Sequence, residues 1–247
     1  MTGPRKRVLV TGGTRGIGAA VATRLARDGH DLVLGWARDD AAAELTRAAV
    51  EDAGAACTLV QADLLAEDGV ERLFAAAGPL TGVVNNAGAT FHTGTLAETP
   101  PDVVRRTVEL NLTGAILVAR AAVRALSTAY DGRGGVLVNV SSAAATRGSP
   151  GEYVHYAAAK AGVDALTLGL AEEVAEQGVR VVGVAPGIIR TSIHADAGEP
   201  GRVERVAPTV PMRRAGEPEE VADAVAWLMG EEASYVTGTT LRVAGGR

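Results

Sequence analysis

Tyr156 and Lys160 stand four residues apart in a run that reads as one long helix over about residues 152–177, so both project from the same face. A phenol and an ammonium are then neighbours. A tyrosine ordinarily titrates near ~10, and a cation within roughly 4–6 Å favours the phenolate and pulls that value toward neutrality. Such a phenol can give or take a proton at a substrate oxygen, a service worth about 10²–10⁴ in rate. The pair alone is common in long helices. Its meaning rests on what the rest of the chain brings to it.

The elements that would position the pair alternate strand and helix. Residues 7–11 read as a buried strand, followed by Gly12-Gly13-Thr14-Arg15-Gly16-Ile17-Gly18 and a helix over about 16–28. Glycines allow a tight turn and close approach, and the helix N-terminus offers free N–H groups to a pyrophosphate. The second strand, 31–36, ends at Trp36, where an acid holding ribose hydroxyls would be expected. Arg38 and Arg15 could instead clamp a 2′-phosphate, which favours NADP(H) over NAD(H), although Asp39 and Asp40 follow immediately.

A helix over 40–53 and a strand over 55–62 lead to Asp63-Leu64. Asp63 can accept from an adenine amino group or cap the next helix near Glu67. After a helix over 67–77 and a strand over 82–84, Asn85-Asn86-Ala87-Gly88 could bridge strands and let a cofactor lie close to the backbone. A helix expected over 102–130 carries Asn111 between two leucines, where its amide must be satisfied, by plain backbone bracing if nothing else. The strand over 135–140 ends in Ser141-Ser142, at the edge where open parallel sheets place their ligands.

With 247 residues, 47% of them hydrophobic, and no proline- or serine-rich linker, one compact domain over 1–247 is expected. Only 3% are aromatic while Ala, Val, Leu and Gly abound, which points to an α/β packing. A net charge of -5 with both signs mixed gives neither a nucleic-acid footprint nor a basic membrane stripe. Cys57 is the only cysteine, and Met1–Arg7 pass into the first strand without a signal-like apolar run, so a cytoplasmic, disulfide-free protein is expected. His30, His92, His155 and His194 are scattered, and no metal is expected.

Taken in order, Thr11-Gly12-x-x-x-Gly16-Ile17-Gly18, Asn85-Asn86-Ala87-Gly88, Asn111, Ser142, Tyr156-x-x-x-Lys160 and Pro186-Gly187-x-x-x-Thr191 resemble the short-chain dehydrogenase/reductase family over nearly the whole chain. The resemblance implies a three-layer doubly wound Rossmann fold with a parallel sheet of about seven strands. It implies that Tyr156 exchanges the proton, Ser142 hydrogen-bonds the substrate oxygen, and Lys160 holds the nicotinamide ribose while lowering the tyrosine pKa. Asn111 would fix a water linking Lys160 to solvent. Gly12, Thr14, Arg15, Gly16, Ile17, Gly18, Arg38, Asp63, Leu64, Asn86, Ala87 and Gly88 would hold the dinucleotide. Pro186, Gly187 and Ile189 would pack beside the nicotinamide, with Thr191 on its carboxamide or the diphosphate, and hydride would leave the pro-S face. Tyr153 has Ala157 rather than a lysine four residues on, so it would line the pocket or pack. Many members end in Val-Asp-Gly-Gly where this chain has Val243-Ala244-Gly245-Gly246, a departure that bears on assembly.

From Ala157 to Ala171 the only charges are Lys160 and Asp164, so the helix is apolar nearly all round and implies a partner subunit, unless its own chain covers it. The family's habit is a homotetramer. A substrate lid is expected over about 191–215, where Arg202, Arg205 and Arg213 could meet an anion or form solvated pairs with Glu199, Glu204 and Glu217. The pattern resembles 3-oxoacyl-carrier-protein reductases and sugar dehydrogenase-like members. The expected activity is NADP(H)-dependent reduction of a small ketone to a secondary alcohol, reversibly. The alternatives are an NAD-dependent sugar or polyol dehydrogenase and, in another class, a dinucleotide-sensing protein without turnover.

Overall fold

Runs such as Val8-Leu9-Val10 and Val136-Leu137-Val138 are apolar on both faces, the pattern of parallel strands covered by helices on each side. The computed structural model, which describes residues 5–66 and 68–247, bears this out. Its strands are β1 (Arg7–Thr11), β2 (Asp31–Trp36), β3 (Cys57–Gln61), β4 (Gly82–Asn85), β5 (Gly135–Val140), β6 (Val179–Pro186) and β7 (Thr240–Val243). They form one seven-stranded sheet in the order β3-β2-β1-β4-β5-β6-β7, with every neighbouring pair parallel.

The helices are α1 (Gly16–Arg27), α2 (Asp40–Asp52), α3 (Gly69–Ala77), α4 (Pro101–Val108), α5 (Gly114–Leu126), α6 (Ala144–Arg147), α7 (Val154–Val174), α8 (Ile193–Asp196), α9 (Arg202–Val206) and α10 (Pro218–Met229). Side chains alternate between two cores along each strand. Val8, Val10, Leu34, Val138 and Val184 pack with α1 and α10 on one face. Leu9, Val33, Val83, Leu137 and Val181 pack with α3, α5 and α7 on the other. Strand order reverses between β1 and β4, so the carboxyl ends of β1, β4, β5 and β6 border one crevice.

Two expected helices differ from what forms. The helix over 102–130 is interrupted by a π-turn at Glu109–Thr113 and stops at Leu126, with Ser127 capping a short 3-10 turn. The wider turn falls at Asn111, whose amide donates to the Thr107 carbonyl at 2.9 Å and to the Ala89 carbonyl at 2.7 Å. The helix over 152–177 begins only at Val154 and passes into a 3-10 turn at Ala175–Gln177. Glu152 stays outside it, in a turn where Gly151 has φ +73° and the Glu152 carboxylate accepts from Arg202.

Candidate active site

The turn from β1 to α1 is closed by backbone contact. A Cβ at Gly18 would lie 2.0 Å from the Gly12 carbonyl oxygen and 2.7 Å from the Asn86 amide nitrogen, so only glycine fits. Gly12 has φ +58°, a conformation that favours glycine, and its bare Cα faces Ala87. Thr11 Oγ1 accepts from the N–H groups of Asn86 and Ala87 at 2.9 and 3.0 Å, and Asn86 donates back to the carbonyls of Thr11 and Gly12. Asn85 donates to Asn139, linking β4 to β5. The paired amides therefore bridge strand ends. Thr14 is anchored through its carbonyl by Thr46, and Ile17 packs on the α1 core.

From this turn a groove of about 180 Å³ runs past Trp36 and Arg38 to Asp63 and Leu64, with Gly88, Phe91 and Arg106 on its far side. The Trp36 Nε1 donor is buried without a partner. Arg38 lines this groove and lies 3.8 Å from Asp63. Arg15 does not line it: its guanidinium bonds Asp196 and Ser192 and sits 3.7 Å from Asp39. The expected clamp of two arginines is therefore not assembled, because carboxylates from two directions hold Arg15. Asp63 accepts from the Leu65 N–H at 3.0 Å in a local turn. It does not cap α3, which begins after Asp68, and Glu67 lies outside the described residues. Phe91, at φ +58° with the Arg106 guanidinium 4.3 Å above its ring, had no local sequence signal.

At the carboxyl end of β5 the candidate proton-transfer residues converge. Tyr156 and Lys160 are both buried on α7. Lys160 Nζ donates to the Val140 carbonyl at 2.8 Å and lies 5.8 Å from the Tyr156 ring centroid. Ser142 sits close enough to lower the Tyr156 pKa, while its Oγ accepts from the Ala144 N–H that opens α6. A Cβ at Gly88 would come 2.7 Å from Asn111 Oδ1 and 3.4 Å from Lys160 Nζ, so this glycine lets the two side chains close around the backbone. Asn111 is fully buried, and it also accepts from the Ala89 N–H. Backbone bracing is thus one of its roles.

The electrostatics depart from expectation. Burial raises the Tyr156 phenol above its ordinary value, Tyr153 adds to the rise, and Ser142 opposes it. Burial also lowers the Lys160 ammonium to about 8. In this cluster desolvation is the largest influence on the phenol, so its neutral form is favoured.

From the end of β6, Pro186-Gly187 leads back to the glycine turn. The Gly187 N–H donates to the Val243 carbonyl at 2.9 Å, and its bare Cα packs on Ala244. Ile189 bridges to Gly216, and the Thr191 methyl stands 3.1 Å from where a Gly16 Cβ would be. Beyond it, Val203 and Val206 of α9 form a small cluster with Ile188, Ala207 and Ala215. Arg205 and Glu199 form the partly exposed pair expected, Glu204 and Glu217 both bind Arg190, and Arg213 donates to the Pro208 carbonyl. Arg202 is different. It is 1% exposed and donates to both Glu152 oxygens and to the Tyr153 hydroxyl. Tyr153 in turn packs edge-on to Tyr156 with centroids 5.4 Å apart.

His155 is buried, and burial lowers its pKa. Among the described residues no three His, Cys, Asp or Glu side chains group as a metal site, and no helix is long and apolar enough to cross a membrane. On α7, Ala158, Ala161, Ala165 and Leu168 are exposed, as are Ile116 and Leu117 of α5. The chain's own elements leave this apolar face uncovered.

The family model described as Enoyl-(Acyl carrier protein) reductase matches residues 12–247. The uncharacterized oxidoreductase YgfF of Escherichia coli K12 is 45% identical over 243 residues, covering 97% of this chain and 98% of that protein. A short-chain dehydrogenase from Burkholderia cenocepacia, solved with NADP, superimposes with TM-score 0.87 at 33% identity, over 98% of this chain and 97% of that one. The 3-ketoacyl-(acyl-carrier-protein) reductase of Brucella melitensis, solved with NADH, gives TM-score 0.89 at 31% identity, over 98% of each chain. The chain belongs to the short-chain dehydrogenase/reductase family. It is an oxidoreductase of CH–OH and C=O groups that uses a nicotinamide dinucleotide.

Proposed function

We propose that this protein is an NADP(H)-dependent carbonyl reductase that converts a ketone reversibly to a secondary alcohol. The observation that carries the reading is the buried Tyr156, with Ser142 beside it and Lys160 one turn on, at the carboxyl end of β5. Burial keeps the phenol protonated, as a proton donor to a ketone must be.

The residues fit a dinucleotide. Gly12, Gly16 and Gly18 let the turn close tightly on its own chain, so that the N–H groups at the α1 N-terminus take the diphosphate, with Thr14, Ile17 and Thr191 around it. Asp63 and Leu64 suit the adenine, Asn86, Ala87 and Gly88 the cofactor's middle, and Pro186, Gly187 and Ile189 the nicotinamide. Trp36 in place of an acid, with Arg38 on the groove, favours a 2′-phosphate. The reduced nicotinamide supplies the hydride. Tyr156 then gives its proton to the ketone oxygen, which Ser142 holds by a hydrogen bond. Lys160 steadies the ribose and, with Asn111, returns a proton from solvent to the phenol. Residues 191–215 form a lid over the substrate, and the uncovered face of α5 and α7 joins subunits of a homotetramer.

Titration with NADPH and NADH, followed by a panel of ketones, β-ketoesters and sugars with the tighter cofactor, tests this. Tighter NADPH binding with ketone turnover supports it. A preference for NADH with sugar oxidation would replace it with a sugar dehydrogenase, and cofactor binding without any turnover would leave a sensing protein.

A further inference from the structure

Arg202 heads the fully buried side chains in size, yet it lies in a segment whose other cations are exposed. Its fork donates to Glu152 Oε1 and Oε2 at 2.6 and 2.7 Å, to Glu199 at 3.3 Å and to the Tyr153 hydroxyl at 2.7 Å. The guanidinium carbon also lies 4.7 Å from the centre of the Tyr153 ring. Arg205 adds a second cation against the same Glu152 and Glu199. His194 nearby adds none, since burial, with Arg202 beside it, lowers its pKa to about 4. Both acids are already paired within the cluster.

The two acids come from different parts of the fold. Glu199 belongs to the segment between α8 and α9, whereas Glu152 and Tyr153 form the turn immediately ahead of α7. That turn is braced from the other side, where the Gly94 N–H donates to the Glu152 carbonyl at 2.7 Å. The bidentate geometry fixes both distance and orientation, which a point charge would not.

We propose that Arg202 is a positioning residue: it latches the 191–215 lid to the leading turn of the catalytic helix and, through Tyr153, sets the wall of the substrate pocket beside Tyr156. This rests on the reading of Tyr156 as proton donor. Breaking the latch lets the lid open and the wall shift, while the cofactor groove, built from β1 to β4, keeps its form.

The test uses the full-length protein with saturating NADPH and the variants Arg202→Met, Arg202→Lys and Glu152→Gln. Backbone hydrogen exchange is followed by mass spectrometry, and steady-state kinetics use the best ketone from the panel. In Glu152→Gln and Arg202→Met, amides of 191–210 exchange about tenfold faster or more, while those of β1, β4 and β5 keep their protection. KM for the ketone rises about fivefold or more while kcat changes by less than about threefold, and Arg202→Lys recovers only part of the difference. Unchanged exchange in the segment would overturn the latch. So would equal acceleration across the whole sheet, or a loss confined to kcat. If Arg202→Met does not fold, Glu152→Gln decides the matter alone. If the wild type turns over no ketone, the functional reading fails, and the exchange comparison still decides whether Arg202 holds the lid.

Discussion

The two ends of the crevice are built on different terms. At the nucleotide end, contacts run through backbone: Gly18 against the Gly12 carbonyl, Thr11 against two N–H groups, Asn86 against two carbonyls. At the proposed substrate end they run through charged side chains, with Arg202 and Arg205 donating hydrogen bonds to Glu152 and Glu199, about 50 residues apart in the chain. On the proposed reading the backbone cradle holds the dinucleotide, the ligand that the family shares. A side-chain cluster can be rewritten without touching that cradle, which lets one fold serve many substrates.

Of the two ends, the nucleotide end should show the larger losses of cofactor affinity. Gly18→Ala forces a methyl into the Gly12 carbonyl, so NADPH affinity should fall about tenfold or more and thermal stability by several degrees, consistent with the roughly 1–3 kcal/mol of overpacking. Calorimetric titration and a melting curve check both, and wild-type values would show that the turn can relax. Arg38→Ala should weaken NADPH by about tenfold, near 1.4 kcal/mol, and NADH little. Equal losses for the two cofactors would remove Arg38 from the 2′-phosphate.

A smaller effect separates the directions of reaction. Alcohol oxidation needs the phenolate, which burial disfavours, so its rate should climb as pH rises past the neutral range. Reduction uses the protonated phenol and should hold through neutrality, weakening once Lys160 loses its charge above about 8. Matching pH profiles in both directions would contradict this assignment of the proton.

Much of this was legible because the relevant signals are local. Valine and leucine runs marked five of the strands, and glycine spacing marked the turn after β1. The order of motifs was enough for the family. What escaped depends on contacts distant in sequence. Nothing near Arg202 announces Glu152, and nothing near Arg15 announces Asp196. The π-turn at Asn111 coincides with bonds to Ala89, a segment the helical pattern does not see. The Tyr156 pKa followed burial, whereas helical spacing speaks only to the nearness of Lys160.

The most direct test of the central claim compares wild type with Tyr156→Phe, following NADPH consumption with a ketone substrate and measuring NADPH affinity in parallel. The account predicts a fall in kcat of about 10²–10⁴ with cofactor affinity nearly unchanged. Turnover near the wild-type rate in the variant would show that the proton comes from elsewhere.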